Sequence, residues 1–161
     1  MATFKISQTV NSPLANIRTA ALGASAGATL DQKDIGKTLK LAAGDKYVPC
    51  SDGDHFDGVL VSMDSGGGTV NSGYNVGGVQ LDQEMEATVA ANQSGQVAVG
   101  DFLVAGTPLA VGTEGLAQVK KMTLPTDATT LAAAFGKPLW KVITILSGNG
   151  SAGDKILMGR L

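Results

Sequence analysis

Three carboxylates and the only histidine of the chain fall within one short run, Asp52-Gly53-Asp54-His55-Phe56-Asp57-Gly58, and the only cysteine, Cys50, lies just upstream. Residues of these types could hold a divalent cation or act as nucleophile and base. A Ca²⁺ loop of the EF-hand kind takes oxygen ligands at positions one, three and five, glycine at six and glutamate at twelve. Counted from Asp52, Phe56 stands at five and Met63 at twelve, so that reading fails. Asp and Gly are ordinary turn formers, and the cluster is expected to be a solvated turn leading into a strand at Gly58, with no metal. A Cys50–His55 nucleophile and base would also need a group to orient the base and an oxyanion site. With one histidine no conventional triad can be assembled elsewhere, and Cys50 reads as a small, partly buried hydrophobe. A single cysteine also excludes an intrachain disulfide.

Other chemistry is equally thin in the sequence. No Gly-x-x-x-x-Gly-Lys-Ser/Thr pattern occurs, and Gly66-Gly67-Gly68 is not followed by a helix pattern, so no nucleotide site is expected. No cofactor and no catalytic residue are expected, and the chain reads as non-enzymatic. Formal charge is −2, and the longest basic runs are pairs such as Lys120 and Lys121, which cannot track a phosphate backbone; no nucleic-acid partner is expected. No apolar run approaches the ~18 residues of a membrane span, and the N-terminus lacks the regions of a signal peptide. The expectation is a soluble protein made in the cytoplasm, with no membrane partner.

The elements that must position these residues are short strands. Charged residues make up 16% of the 161-residue chain, below the roughly 25% of an average soluble domain, and glycine appears 22 times, so turns are frequent and the surface is lean in charge. Strands are expected at 38–41, 46–48, 58–63, 76–81, 86–90 and 102–105, each bounded by Gly, Asp or Asn. Two more, 139–146 and 155–161, are rich in apolar and β-branched residues, and Trp140 in the first of them is expected in the core rather than as an exposed anchor. One helix is expected over 128–135, capped by Thr126 or Asp127, with Gly136 as a left-handed stop and Pro138 beyond. The segment from Leu14 to Ala28, rich in Ala and Gly, is open between helix and loop.

A turn-to-strand unit recurs at Gly44-Asp45, Gly100-Asp101 and Gly153-Asp154, each followed by apolar residues. Glycine supplies the positive φ of a tight turn and the aspartate bonds local amides, so the pair reverses the chain and launches a strand. At the N-terminus, Phe4, Ile6 and Val10 alternate with polar residues, the pattern of a half-buried strand that either begins the domain's own sheet or adds to a partner's sheet edge. The fold expected is mostly β, a single barrel or sandwich domain over 31–161 with an N-terminal arm and Ala/Gly-rich segment over 1–30, and at most one or two short helices.

Two resemblances bear on function. Val97 to Leu103 is similar to the strand and turn of biotinyl or lipoyl carrier domains, whose modified lysine sits on a hairpin within Met-Lys-Met or Asp-Lys-Ala. The nearest counterpart, Val119-Lys120-Lys121-Met122, lacks those flanks. The wider resemblance runs from Ile35 to Leu161 through Gly36-Lys37-Thr38-Leu39-Lys40-Leu41, Asp57-Gly58-Val59-Leu60-Val61, Gly77-Gly78-Val79, Val99-Gly100-Asp101-Phe102-Leu103 and Gly153-Asp154-Lys155-Ile156-Leu157-Met158. In that order the chain resembles the capsid decoration, or cement, proteins of tailed bacteriophages. The resemblance implies a β-barrel or sandwich, a homo-oligomer with a trimer favoured over a dimer, and a place on the outer capsid surface of the virion. The partner would be the major capsid protein, bound through an N-terminal arm that includes Phe4, Ile6, Val10, Leu14 and Ile17. A tail or fibre component that contacts the host surface is the non-enzymatic rival, although no long stalk repeat is visible.

Overall fold

The computed structural model describes residues 17–23, 30, 32–63, 75–110 and 112–161. Within them the chain is mostly β and forms two closed five-stranded barrels. The first contains β1 (Ile17–Leu22), β2 (Thr38–Ala42), β3 (Lys46–Pro49), β4 (Gly58–Met63) and β5 (Asn75–Gln80), in the order β1-β3-β2-β4-β5. The second contains β6 (Met85–Val89), β7 (Phe102–Ala105), β8 (Ala117–Lys121), β9 (Trp140–Ile145) and β10 (Lys155–Arg160), in the order β10-β6-β8-β7-β9.

The second barrel repeats the topology of the first. Its strands β6 to β10 follow one another around the barrel as β1 to β5 do, and each barrel has one parallel pair, β1 with β3 and β6 with β8. The matched registers Leu39↔Gly58 and Leu103↔Trp140 reproduce the pairing of the second strand with the fourth. The main difference lies between the third and fourth strands, where the first barrel has the loop from Cys50 to Asp57 and the second has α1 (Ala128–Phe135).

The expectation of a mostly β barrel fold with few short helices holds, with two barrels in place of one. The boundary expected at residue 30 separates β1 from the barrel it closes, because Ile17–Leu22 bonds β5 along its whole length and reaches β3 through Ala21 and Leu22. The helix occupies the residues expected, and the Asp127 carboxylate accepts the Thr129 and Thr130 amides. Gly136 is a correction: its φ is −77°, so the helix ends with an ordinary amide bond to Ala132 O before Pro138 blocks continuation.

The recurring Gly-Asp turn also regroups. Gly44 and Asp45 both have positive φ, 77° and 56°, and form the tight link from β2 to β3. The turns that share one geometry are instead 34–37, 51–54, 98–101 and 151–154. In each the third residue is a glycine with positive φ (Gly36, Gly53, Gly100, Gly153), and the fourth amide bonds the first carbonyl. In each, the glycine amide and the fourth carbonyl then bracket one strand residue, Leu60, Ala105, Val142 and Val89 respectively. Three of the turns close their own barrel in this way. The turn at 51–54, carried by the first barrel, brackets Ala105 of the second.

Candidate functional site

The acidic run with Cys50 and His55 forms the joint between the barrels. In the second barrel, β7 pairs with β9 only through Phe102 and Leu103, so the end of β7 at Ala105 is free on that side. The loop from the first barrel fills the gap. Gly53 N–H donates to Ala105 O at 2.8 Å, and Ala105 N–H donates to Asp54 O at 2.9 Å. Phe56 then turns inward and stacks on Trp140, with ring centroids 5.2 Å apart, and the Trp140 indole donates to Phe56 O at 3.2 Å. Both rings are fully buried, and Cys50, Phe56 and Val59 belong to the core of the second barrel, not the first. Trp140 is thus a core residue, as its sequence context indicates. At the end of β10, Arg160 bonds Leu81 O at 2.8 Å and reaches Asp57 O at 3.5 Å.

Each carboxylate of the run is engaged in this joint. Asp52 accepts from Asn92 and from Lys120 of β8, both at 2.8 Å. Lys120 first and Asn92 second hold its pKa below the usual carboxylate range. Asp54 accepts from Lys40 of β2 and from Ser51 N–H. Partial burial pushes the Asp54 pKa up, but Lys40 and the Ser51 amide together outweigh it and leave the group below its ordinary value. Asp57 accepts Leu41 N–H at 2.7 Å, which pins the loop to β2. Among the described residues no His, Cys, Asp and Glu side chains cluster as metal ligands.

Cys50 is 3% exposed, and burial pushes its thiol up to about 12, so it carries almost no thiolate at neutral pH. This chemistry is that of a packed hydrophobe. The His55 ring has a buried Nδ1 with no hydrogen-bond partner. Burial first, and then the charge of Lys137, hold its pKa below the ordinary value, against the opposing Pro138 carbonyl and Asp54 carboxylate.

A second tether joins the same two barrels. Lys37 and Asp34, both buried, form an ion pair; Lys37 Nζ also donates to Ala110 O at 2.7 Å, and Asp34 accepts Gly112 N–H at 2.8 Å. The loop before β8 is thereby held to the first barrel. Sequence reading missed this pair, and its only signal was the spacing of Asp34 and Lys37 around Gly36, which resembles any other polar turn.

The remaining candidates fall outside the described residues, in β1 or in β8. Phe4, Ile6, Val10 and Leu14 lie outside the described residues, as does Gly66-Gly67-Gly68. Ile17 opens β1 opposite Gln80 and is 43% exposed. Lys120 and Lys121 sit within β8, ion-paired to Asp52 and Asp101, and not on a hairpin tip as a carrier lysine would.

The chain was compared with protein-family models, with curated proteins and with solved structures. It matches none of them. The functional reading therefore rests on the residues themselves.

Proposed function

We propose that the chain is a structural protein of a tailed-phage particle, which binds the outer capsid surface as a homo-oligomer and cements contacts between major capsid subunits. The observation that carries this reading is how the reactive residue types are used. Cys50, the three carboxylates and the loop that bears His55 join two barrels into one body. That is the construction of a scaffold rather than of a reaction centre.

Two further features support the reading. The order of turn and strand motifs from Ile35 to Leu161 resembles that of decoration proteins. The stretch from Met122 to Gly136 is largely exposed and carries a single charge, Asp127, which is taken up by the helix cap; Leu124 and Phe135 stand about half exposed in it. Apolar surface of this kind suits a contact repeated many times over a shell, where modest affinity per site sums to a large stabilisation through multivalency.

Purified protein mixed with expanded heads should co-sediment at saturable stoichiometry and raise their resistance to heat or chelator. Failure to bind, or binding without added resistance, refutes cementing. Deleting residues 1–16 tests the arm separately: the truncated chain should bind more weakly, and unchanged binding would remove the arm from the account.

A further inference from the structure

The joint holds a titratable group whose surroundings favour its neutral form, with the Pro138 carbonyl and the Asp54 carboxylate opposing burial and Lys137. His55 sits on the connecting loop between Asp54, whose carbonyl accepts the Ala105 N–H, and Phe56, which stacks on Trp140. Its Nδ1 is buried and faces no acceptor. Two charges act on the ring: Lys137, from the connection between α1 and β9, and Asp54 on its own loop. The Asp54 carboxylate is already occupied by Lys40 Nζ and Ser51 N–H.

We propose that the joint is a pH-sensitive latch, in which protonation of His55 loosens the hold of residues 51–57 on the second barrel. A proton added to Nδ1 would be a buried donor without an acceptor, and it would place a second positive charge near Lys137. Release of the loop removes both penalties, so acid favours the open joint.

In the closed joint the ring binds its proton less readily than in water, so closed protein carries fewer protons than open protein once the pH falls below about 6.5. The joint is tightest at neutral pH and above, loosens as the pH drops through that value, and stops changing below the closed-state midpoint. The carboxylates that hold the loop, Asp52 and Asp54, are held below their ordinary pKa and leave this window to His55.

The test uses full-length protein and needs no label. His55 is the only histidine, so its ring resonances titrate alone. Ala105, Val89 and Val142 make matched amide bonds, but only the Ala105 bond crosses the joint. The expected result is a midpoint below 6.5. The opening constant from Ala105 hydrogen exchange, corrected for intrinsic rate, should rise between pH 7.5 and 5.5 by about tenfold per unit of that displacement, while Val89 and Val142 stay level. His55→Gln should abolish the rise and Lys137→Gln should reduce it. Should His55→Gln fail to fold, the wild-type titration and Lys137→Gln decide the matter. A midpoint at or above 6.5, or Ala105 exchange that tracks Val89 across the range, overturns the proposal.

Discussion

Replacing Phe56 with alanine should unfold the second barrel at markedly lower temperature although Phe56 belongs to the loop of the first. The side chain is 1% exposed and stacks at 5.2 Å on Trp140, itself without exposed surface. Truncating a fully buried Phe costs about 3–5 kcal/mol, of which the ring pair supplies roughly 0.5–1.5. Against a total stability of about 5–15 kcal/mol this is a large share, and at roughly 2–4 °C per kcal/mol it lowers Tm by about 6–20 °C. The companion variant is Leu60→Ala, in the core of the first barrel, expected to cost about 2–5 kcal/mol. Because Trp140 is the only tryptophan, its fluorescence reports the second barrel alone, while far-ultraviolet dichroism reports both. If the joint couples the barrels, both variants lower the Trp140 transition, and the two probes stay coincident. A Leu60→Ala protein whose Trp140 melt is unmoved while its dichroism splits into two steps would refute the coupling.

Three further outcomes follow from the same contacts. Gly36→Ala should destabilise by several kcal/mol in a urea melt, since φ is +103° and a Cβ would stand 2.2 Å from Gly115 O; Gly44→Ala, at φ +77° with open space around it, should cost only about 1 kcal/mol. Lys37→Met should cost about 3–5 kcal/mol because it takes the Lys37 charge away from the buried Asp34 carboxylate, and the double variant Asp34→Leu with Lys37→Met should recover most of the loss; a double variant no better than the single would contradict the pair's role. Asp52 and Asp54 have folded pKa values below their unfolded ones, so their contribution is present above about pH 4 and is lost as pH falls through the folded values. Asp52→Asn should accordingly flatten the acid limb of the stability profile, measured by urea midpoints between pH 2 and 5.

Much of the fold is legible in the sequence where side-chain period and turn chemistry agree. The strand at Gly58–Met63, the strand at Phe102–Ala105 and the helix at Ala128–Phe135 lie where apolar runs and caps place them. β1 and β8 escaped because their inward positions are partly alanine: Ala20 in Ile17–Leu22 and Ala117 in Ala117–Lys121 are buried but too small to mark a period of two. The duplication escaped for a different reason. The turn carbonyls and amides repeat at Leu60, Ala105, Val142 and Val89, whereas the side chains there vary from Ala to Leu, so the repeat is written mainly in the backbone. The role of Asp52, Asp54 and Asp57 was half readable. Their turn-forming chemistry is local, but the partners that make the turn a joint, Ala105, Lys120 and Trp140, lie far along the chain.

The most direct test of the functional account is a density map of the full-length protein bound to expanded phage heads. The account predicts density on the outer surface, over junctions between major capsid subunits, fitted by both barrels as one body with the 122–136 face or the N-terminal residues at the contact. Heads that stay bare at saturating protein, or density confined to the tail, would contradict it.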